Sequence, residues 1–330
     1  MKPGVAVIGC GLLGSKRADN LAGARLCICA DRDPARAASL AAKHPGARST
    51  SDLHEVWTDR DVAIAIIATT NDSLTPVALE AVKSGKHVLV EKPAARNVAE
   101  LGRLIDTAKD KRVKVRVGFN HRFHPGILNA FEMVRRGSVG ELMFVRARYG
   151  HGGRVGYDRE WRADPAMSGG GELIDQGVHL IDLSRELLGE FEVVEGFAHT
   201  FFWKMPVDDN GFMLLRTKDN KVAFLHASCT EWKNLFSLEI YGRLGKLQID
   251  GLGGSYGIER LTHYRMLPEM GPPETTIWEY PRGDKSWTAE FSEFLDDIRL
   301  DREPRPGLDD ALRALEIVER IYKKSGYDHH

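Results

Sequence analysis

Residues 5–14 read Val5-Ala6-Val7-Ile8-Gly9-Cys10-Gly11-Leu12-Leu13-Gly14. The first four are apolar and mostly β-branched, which suits a short buried strand. Glycines follow at once with the spacing G-x-G-x-x-G, and Ser15–Ala22 then continues as a helix. Between a strand and a helix this spacing has a mechanism. Gly9 permits the tight turn, Gly11 lets backbone amides approach a pyrophosphate, and Gly14 lets helix and strand pack closely. The pyrophosphate rests on the free N–H groups at the start of the helix, beside Leu12 and Leu13.

Working outward, the next strand is Arg25–Ala30, and Asp31 ends it 20 residues after Gly11. At that distance a carboxylate meets the adenine ribose hydroxyls and repels a 2′-phosphate, which favours NAD. Arg32, the next residue, keeps NADP open as the alternative. Asp31 has a second reading, as the N-cap of a helix opening at Pro34. Further helices are predicted over Ala35–Lys43, Asp52–Trp57, Thr75–Ser84 and Val98–Lys109. Strands are predicted over Asp61–Ala68, His87–Val90 and Val113–Gly118. Such alternation makes a doubly wound parallel sheet, whose ligands bind at the carboxyl ends of the strands. Polar clusters stand at those ends: Thr69-Thr70-Asn71-Asp72, Glu91-Lys92-Pro93 and Asn120-His121-Arg122.

After Phe123 the pattern changes. A helix over Gly126–Arg136 precedes strand-like runs over Leu142–Tyr149, Val193–Phe202, Gly211–Arg216, Val222–Cys229, Leu235–Tyr241, Lys246–Ile249, Gly257–Arg265 and Thr276–Tyr280. Short turns between them imply a mostly antiparallel sheet that needs a cover on its second face. Helices over Trp287–Arg299 and Leu308–Lys324 close the chain. The division expected is a dinucleotide-binding domain over 1–121 and an α+β domain over 122–330.

Within the second half, Gly169-Gly170-Gly171 leads into a helical segment that holds Asp175 and His179. Four residues apart, the two side chains share a helix face one turn apart. An acid and an imidazole so placed suit proton transfer. The same pair also suits a buried hydrogen bond that only holds the helix. The preceding loop, Tyr149–Ser168, is rich in glycine, arginine and aromatics, as suits a lid over a ligand. Arg154, Tyr157, Trp161 and Arg162 are its candidate contacts, and Arg122 is a candidate for a substrate oxygen or phosphate.

The 330 residues carry a formal net charge of −1, which speaks against a nucleic acid or an anionic membrane surface as partner. The longest apolar run, near Val62–Ala68, is far too short to span a bilayer. Met1-Lys2-Pro3-Gly4 passes straight into a strand with no apolar signal region, so the cytoplasm is the expected location. The four cysteines lack metal-ligand spacing and read as small core residues, and no metal is expected. His329-His330 receive no role.

The order of GxGxxG, then Glu91-Lys92-Pro93 after Gly85–Val90, then GGGxLxDxGxH over 169–179, resembles the glucose–fructose oxidoreductase and inositol dehydrogenase family over nearly the whole chain. The resemblance implies a nicotinamide-dependent oxidoreductase of sugars, cyclitols and related diols. It places Lys92, Asp175 and His179 at the active site. It maps cofactor contacts onto Gly9, Gly11, Leu12, Leu13, Gly14, Asp31, Arg32, Thr69, Thr70, Asn71, Leu74, Glu91, Lys92, Asn120, Trp161 and Arg162. Substrate contacts fall on Lys92, Arg122, Arg154, Tyr157, Trp161, Asp175 and His179. It also implies a homodimer or homotetramer joined through the C-terminal sheet. One departure is the stretch Asp72-Ser73-Leu74-Thr75, where the family pattern has a histidine.

The expected chemistry is hydride transfer between nicotinamide and a secondary alcohol of a sugar, cyclitol or nucleotide sugar. His179 is the base, Asp175 orients it, and Lys92 stabilises the reacting oxygen. Arg154, Arg159 and Arg162 lean the substrate towards one bearing phosphate. Two other readings are a non-catalytic cofactor-binding regulator and an NADPH-dependent carbonyl reductase.

Overall fold

A computed structural model describes residues 2–327, and His329-His330 lie outside the described residues. The chain forms two compact units. One holds the residues up to 119 with 167–169 and 287–315; the other holds 120–166, 170–286 and the chain from 316.

In the first unit, β1 (Gly4–Ile8), β2 (Arg25–Ala30), β3 (Arg48–Thr50), β4 (Val62–Ile67), β5 (His87–Val90) and β6 (Val115–Val117) form one sheet. Its order is β3-β2-β1-β4-β5-β6, and every pairing is parallel. Helices α1 (Leu12–Ala18), α2 (Pro34–Ala41), α3 (Leu53–Thr58), α4 (Asn71–Lys83) and α5 (Val98–Lys111) connect the strands. The strand order reverses between β1 and β4, which makes the crevice at their carboxyl ends the ligand position. Both faces of the inner strands are covered, so β1, β4 and, after His87, β5 are apolar in succession rather than alternating.

Two local differences from the sequence reading have physical causes. Strand β3 is three residues long, polar and at the sheet edge, so it leaves no periodic signal. Helix α4 begins at Asn71, not Thr75. Its first turn is polar and carries Asp72, as the positive end of a helix favours, and so resembles a loop.

The second unit is built on eight strands: β7 (Leu142–Gly150), β8 (Phe191–His199), β9 (Asn210–Thr217), β10 (Val222–Ser228), β11 (Leu235–Gly242), β12 (Gly245–Asp250), β13 (Glu259–Arg265) and β14 (Glu274–Tyr280). Their order is β14-β13-β12-β11-β7-β10-β9-β8, antiparallel except for the β7–β10 pair. Helices α6 (Pro125–Arg135), α7 (Pro165–Ser168) and α8 (Val178–Leu188) lie between strands in the chain. Val145, Met213, Leu225 and Leu238 are buried on the face that α8 covers, while Phe144, Leu214 and Phe224 stand exposed on the other.

Two helices close the chain, α9 (Ser286–Arg299) and α10 (Leu308–Ser325). Phe291 and Phe294 of α9 are buried in the core of the first unit with Val7, Leu26 and Ile64. Burying each contributes roughly 1.5–3 kcal/mol. A single division after residue 121 therefore does not describe the chain, because α9 returns to the first unit. All four cysteines are free and buried. Among the described residues no helix is long and apolar enough to cross a membrane.

Candidate active site

In the first unit the glycine turn is fixed by sterics. Gly9 has φ +91°, and a Cβ on Gly14 would lie 1.8 Å from the Gly9 carbonyl oxygen. A Cβ on Gly11 would meet nothing within 4 Å, so the turn is open on that side. Leu12 is 86% exposed beside it, and Gly11 caps α1 without any side-chain hydrogen bond. Open space over uncapped amides is what a pyrophosphate requires.

The Asp31 carboxylate accepts from Cys10 N at 2.7 Å and from Asp33 N at 2.9 Å. It therefore ties the glycine turn to the end of β2. The helix cap read for Asp31 comes instead from Asp33, which accepts from Ala35 N at 3.0 Å. Arg32 is exposed. At the end of β4, Thr69 Oγ1 donates to the Thr70 carbonyl, and Thr70 Oγ1 donates to Asp72. Asn71 is buried and donates to the Ser168 carbonyl at 2.8 Å. Leu74 is wholly buried within α4, so its side chain contributes packing and not the ligand contact assigned to it.

Glu91 follows β5 and is buried. Arg17 Nε donates to it at 2.6 Å, and another nitrogen of Arg17 donates to Glu290 of α9. The Trp287 ring lies 4.3 Å from the Arg17 guanidinium carbon and 4.5 Å from Lys16 Nζ. Burial pushes the Glu290 carboxyl above the usual range, which the Arg17 charge only partly opposes. The Glu91 side chain thus anchors the strand end that presents half-buried Lys92.

In the second unit, Asp175 lies in a single π turn, Leu173–Gly177, and His179 in the first turn of α8 that continues it. Such widened turns recur at functional sites. The glycines before it make room for protein. A Cβ on Gly171 would sit 1.8 Å from the Asp208 carbonyl oxygen, and one on Gly170 would sit 2.3 Å from Tyr322 Oη. Asp208 accepts from Gly171 N, Leu173 N and Tyr322 Oη at 2.9, 2.8 and 2.7 Å. Burial raises its carboxyl to about 6 despite these donors.

Arg162 donates from Nε to Asp175 at 3.1 Å and lies 4.5 Å over the Trp161 ring. Tyr157 is buried and donates to Glu172 at 2.8 Å; burial, then Glu172 and Asp175, push its hydroxyl far up. His151 Nε2 lies 3.4 Å from the same Glu172 oxygen. Burial alone would lower His151, but Glu172 outweighs it and the net shift is upward. Asn120 donates to Ser286 Oγ at 2.8 Å.

Two assigned substrate contacts lie elsewhere. Arg122 is buried and clamps Asp182 with two nitrogens, at 2.8 and 2.6 Å, and Glu186 with a third at 2.7 Å. It braces α8 and does not face a substrate oxygen. Arg154 is 72% exposed and pairs with Glu160 at 2.7 Å, a surface ion pair. Three residues of this neighbourhood had not been assigned roles from the sequence: His121, His151 and Glu172. The run Asn120-His121-Arg122-Phe123-His124, with two imidazoles and a guanidinium in five residues, was the available signal for the first.

Comparison with known proteins gives the family of both domains. Residues 4–119 match the model of an oxidoreductase family with an NAD-binding Rossmann fold, and residues 127–248 match the GFO/IDH/MocA C-terminal domain. The levoglucosan dehydrogenase of Pseudarthrobacter phenanthrenivorans is 31% identical over 200 residues, 58% of this chain and 49% of that protein. Inositol 2-dehydrogenase 2 of Saccharopolyspora erythraea is 32% identical over 228 residues, 66% of this chain and 64% of that protein. The chain thus aligns with between about half and two thirds of these relatives' lengths. Levoglucosan dehydrogenase solved with NADH and levoglucosan has the same fold, with a TM-score of 0.89 at 23% identity over 99% of this chain and 98% of that one. The chain belongs to the GFO/IDH/MocA oxidoreductase family, and its first domain is that family's NAD-binding Rossmann fold.

Proposed function

We propose that the protein is an NAD-dependent dehydrogenase that oxidises a secondary alcohol of an uncharged sugar or cyclitol. One observation carries the reading. His179 stands buried at the junction of a π turn and α8, one turn after an Asp175 that Arg162 holds in place. Relatives named for inositol and levoglucosan support the substrate class. Of the three arginines that suggested a phosphate, two are paired with an acid, Arg154 with Glu160 and Arg162 with Asp175, which supports a neutral substrate.

Bound NAD supplies the hydride acceptor. The turn over Gly9–Gly14, with Asp31, Thr69, Thr70 and Asn71, would hold it, with Lys92, Asn120, Trp161 and Arg162 as further contacts. His179 takes the hydroxyl proton, since a neutral imidazole accepts protons near pH 7. Asp175, held by Arg162, orients the imidazole and a neighbouring hydroxyl. Lys92 hydrogen-bonds the reacting oxygen and stabilises the charge that develops on it. NADP is the second reading for the cofactor, favoured by exposed Arg32 beside Asp31.

The protein works as a homodimer or homotetramer through the open face of the eight-stranded sheet. Phe144, Phe197, Leu214 and Phe224 are each at least 38% exposed on adjoining strands there, a patch that calls for a partner. A cytoplasmic location is in keeping with four buried free thiols. The testing experiment follows absorbance at 340 nm with NAD and a panel of inositols and hexoses. Reduction with at least one of them is expected. Turnover with none, under conditions where NADH binds, would overturn the proposal.

A further inference from the structure

Five strands of the second unit begin or end in one row. Gly150 of β7 pairs with Ser228 of β10 and Leu235 of β11, Ser228 with Asn210 of β9, and Asn210 with His199 of β8. The segments after Gly150, His199 and Ser228 therefore leave the sheet along the same edge. Asp208, just before Asn210, accepts from Gly171 N and Leu173 N, so the π turn with Asp175 begins at that edge too.

Aromatic rings run outward from the turn along this edge. Tyr157, buried on Glu172, lies 5.6 Å from Trp203, Trp203 lies 5.1 Å from Phe202, and Phe202 stands edge-on to Trp232 at 4.7 Å. The last two are 54% and 67% exposed. Both are held firmly all the same. Asp209 accepts from Phe202 N at 2.7 Å and from Trp203 N at 3.0 Å, and Trp203 Nε1 donates to the Cys229 carbonyl at 3.0 Å. A Cβ on Gly152 would lie 2.9 Å from the Trp232 backbone, and one on Gly153 would lie 2.4 Å from the Trp203 ring. Trp232 itself has φ +54°, which a bulky residue adopts only at a cost. Burial does not repay that cost, because most of the side chain faces solvent.

Resting on the reading of the site as one for sugars, we propose that Trp232 and Phe202 form a subsite for a second sugar ring, so that the preferred substrate is a disaccharide or other glycoside. A pyranose has an apolar C–H face and a rim of hydroxyls. Its C–H groups are drawn to the negative face of an aromatic ring while the hydroxyls stay in water. The two side chains expose roughly 250 Å² together. That is enough for one sugar ring and well short of the about 800 Å² per partner of a stable protein interface. Phe201 does not belong to it, since its ring packs on His199 and on Phe212. Rings fixed in advance lose little freedom when a ligand stacks on them, which is what the strained backbone of Trp232 secures.

The test uses the full chain with NADH bound and measures the affinities of glucose, maltose, cellobiose and melibiose by calorimetry. At least one disaccharide should bind the wild type about 5-fold or more tightly than glucose, the scale of one aromatic stack. Trp232→Gly removes the ring and suits the left-handed backbone, so its Tm should be no lower than that of wild type. Trp232→Gly and Phe202→Leu should both lose the disaccharide advantage, with glucose, too short to reach the subsite, as the control. On a disaccharide that turns over, KM should rise in both variants at unchanged kcat, because the stacked ring lies away from the reacting carbon. A purely structural role for Trp232 predicts the reverse, a lower Tm in Trp232→Gly and an unaltered preference among the sugars. That result would overturn the proposal, as would a wild type that binds no disaccharide more tightly than glucose. A smaller mass by light scattering in Trp232→Gly, with sugar affinities unchanged, would assign the rings to an oligomer interface and overturn it too. Turnover of free sugars without disaccharide preference would remove the subsite and leave the dehydrogenase reading standing. Disaccharide binding that depends on Trp232, with no reduction of NAD at 340 nm, would sink the dehydrogenase reading and leave the subsite.

Discussion

Arg17 is the most exacting place to perturb the first unit. Its side chain is 1% exposed and lies between Glu91 and Glu290, whose side chains are 4% and 0% exposed. Arg17→Met keeps the length and removes the charge, leaving two acids buried without a cation. Breaking a buried ion pair by removing one partner costs about 3–5 kcal/mol. Loss of the stack on Trp287 adds up to about 1 kcal/mol. For a unit of this size roughly 4 kcal/mol corresponds to a fall in Tm of about 8–16 °C. Glu290→Gln should behave differently. Burial already disfavours the charge on that carboxyl, and the amide can still accept from Arg17, so the change should cost less than the loss of Arg17. The double variant Arg17→Met/Glu290→Gln should recover part of the loss, since only Glu91 then lacks its partner. Urea and thermal unfolding of the four proteins measure this. The reasoning is refuted if Arg17→Met unfolds within 3 °C of wild type, or if Glu290→Gln is as damaging as Arg17→Met.

Three further outcomes are expected. Asp208 is raised to about 6 in the fold, against an ordinary value near 3.8, so the folded state keeps a proton that the unfolded chain loses. Its contribution is greatest below pH 4 and falls by roughly 3 kcal/mol as pH rises from about 4 to 6. Urea midpoints across that window should slope less in Asp208→Asn, and an unchanged slope would count against the burial argument. Asp31→Ala should lose about 10–100-fold in NADH affinity and raise the NADPH-to-NADH ratio, because it removes a charged acceptor and loosens the glycine turn. Fluorescence titration decides this, and a wild type that prefers NADPH strongly would contradict the role given to Asp31. Phe224→Lys on the open sheet face should shift the mass seen by light scattering towards the monomer without unfolding the chain. An oligomer of unchanged mass would place the interface elsewhere.

Much of the fold was legible in the sequence, for reasons that differ by element. The strand before Gly9, the glycine spacing and the acid at residue 31 are local signals, each imposed by a local steric or electrostatic demand. The alternating strands of the second half were readable because one sheet face is buried and the other is not. What stayed hidden depends on residues far apart in the chain. Arg17 meets Glu290 across 273 positions, and no periodicity encodes that meeting. The return of α9 to the first unit has the same cause. Arg122 looked free to bind a ligand because its acids, Asp182 and Glu186, lie 60 and 64 residues on. The π turn is invisible for another reason. Its sequence suits an ordinary helix, and the acid that accepts from its first amide, Asp208, lies 35 residues on. Asp175 stood out as a polar group on this segment, but Arg162 as its partner was not foreseen.

The central claim is that this chain abstracts a hydroxyl proton with His179 while NAD is bound. The direct measurement is turnover of wild type and His179→Ala at 340 nm on the same sugar or cyclitol, with NADH affinity measured in parallel. His179→Ala should bind NADH as wild type does and turn over at least ~100-fold more slowly. Near-normal turnover by His179→Ala would contradict the account.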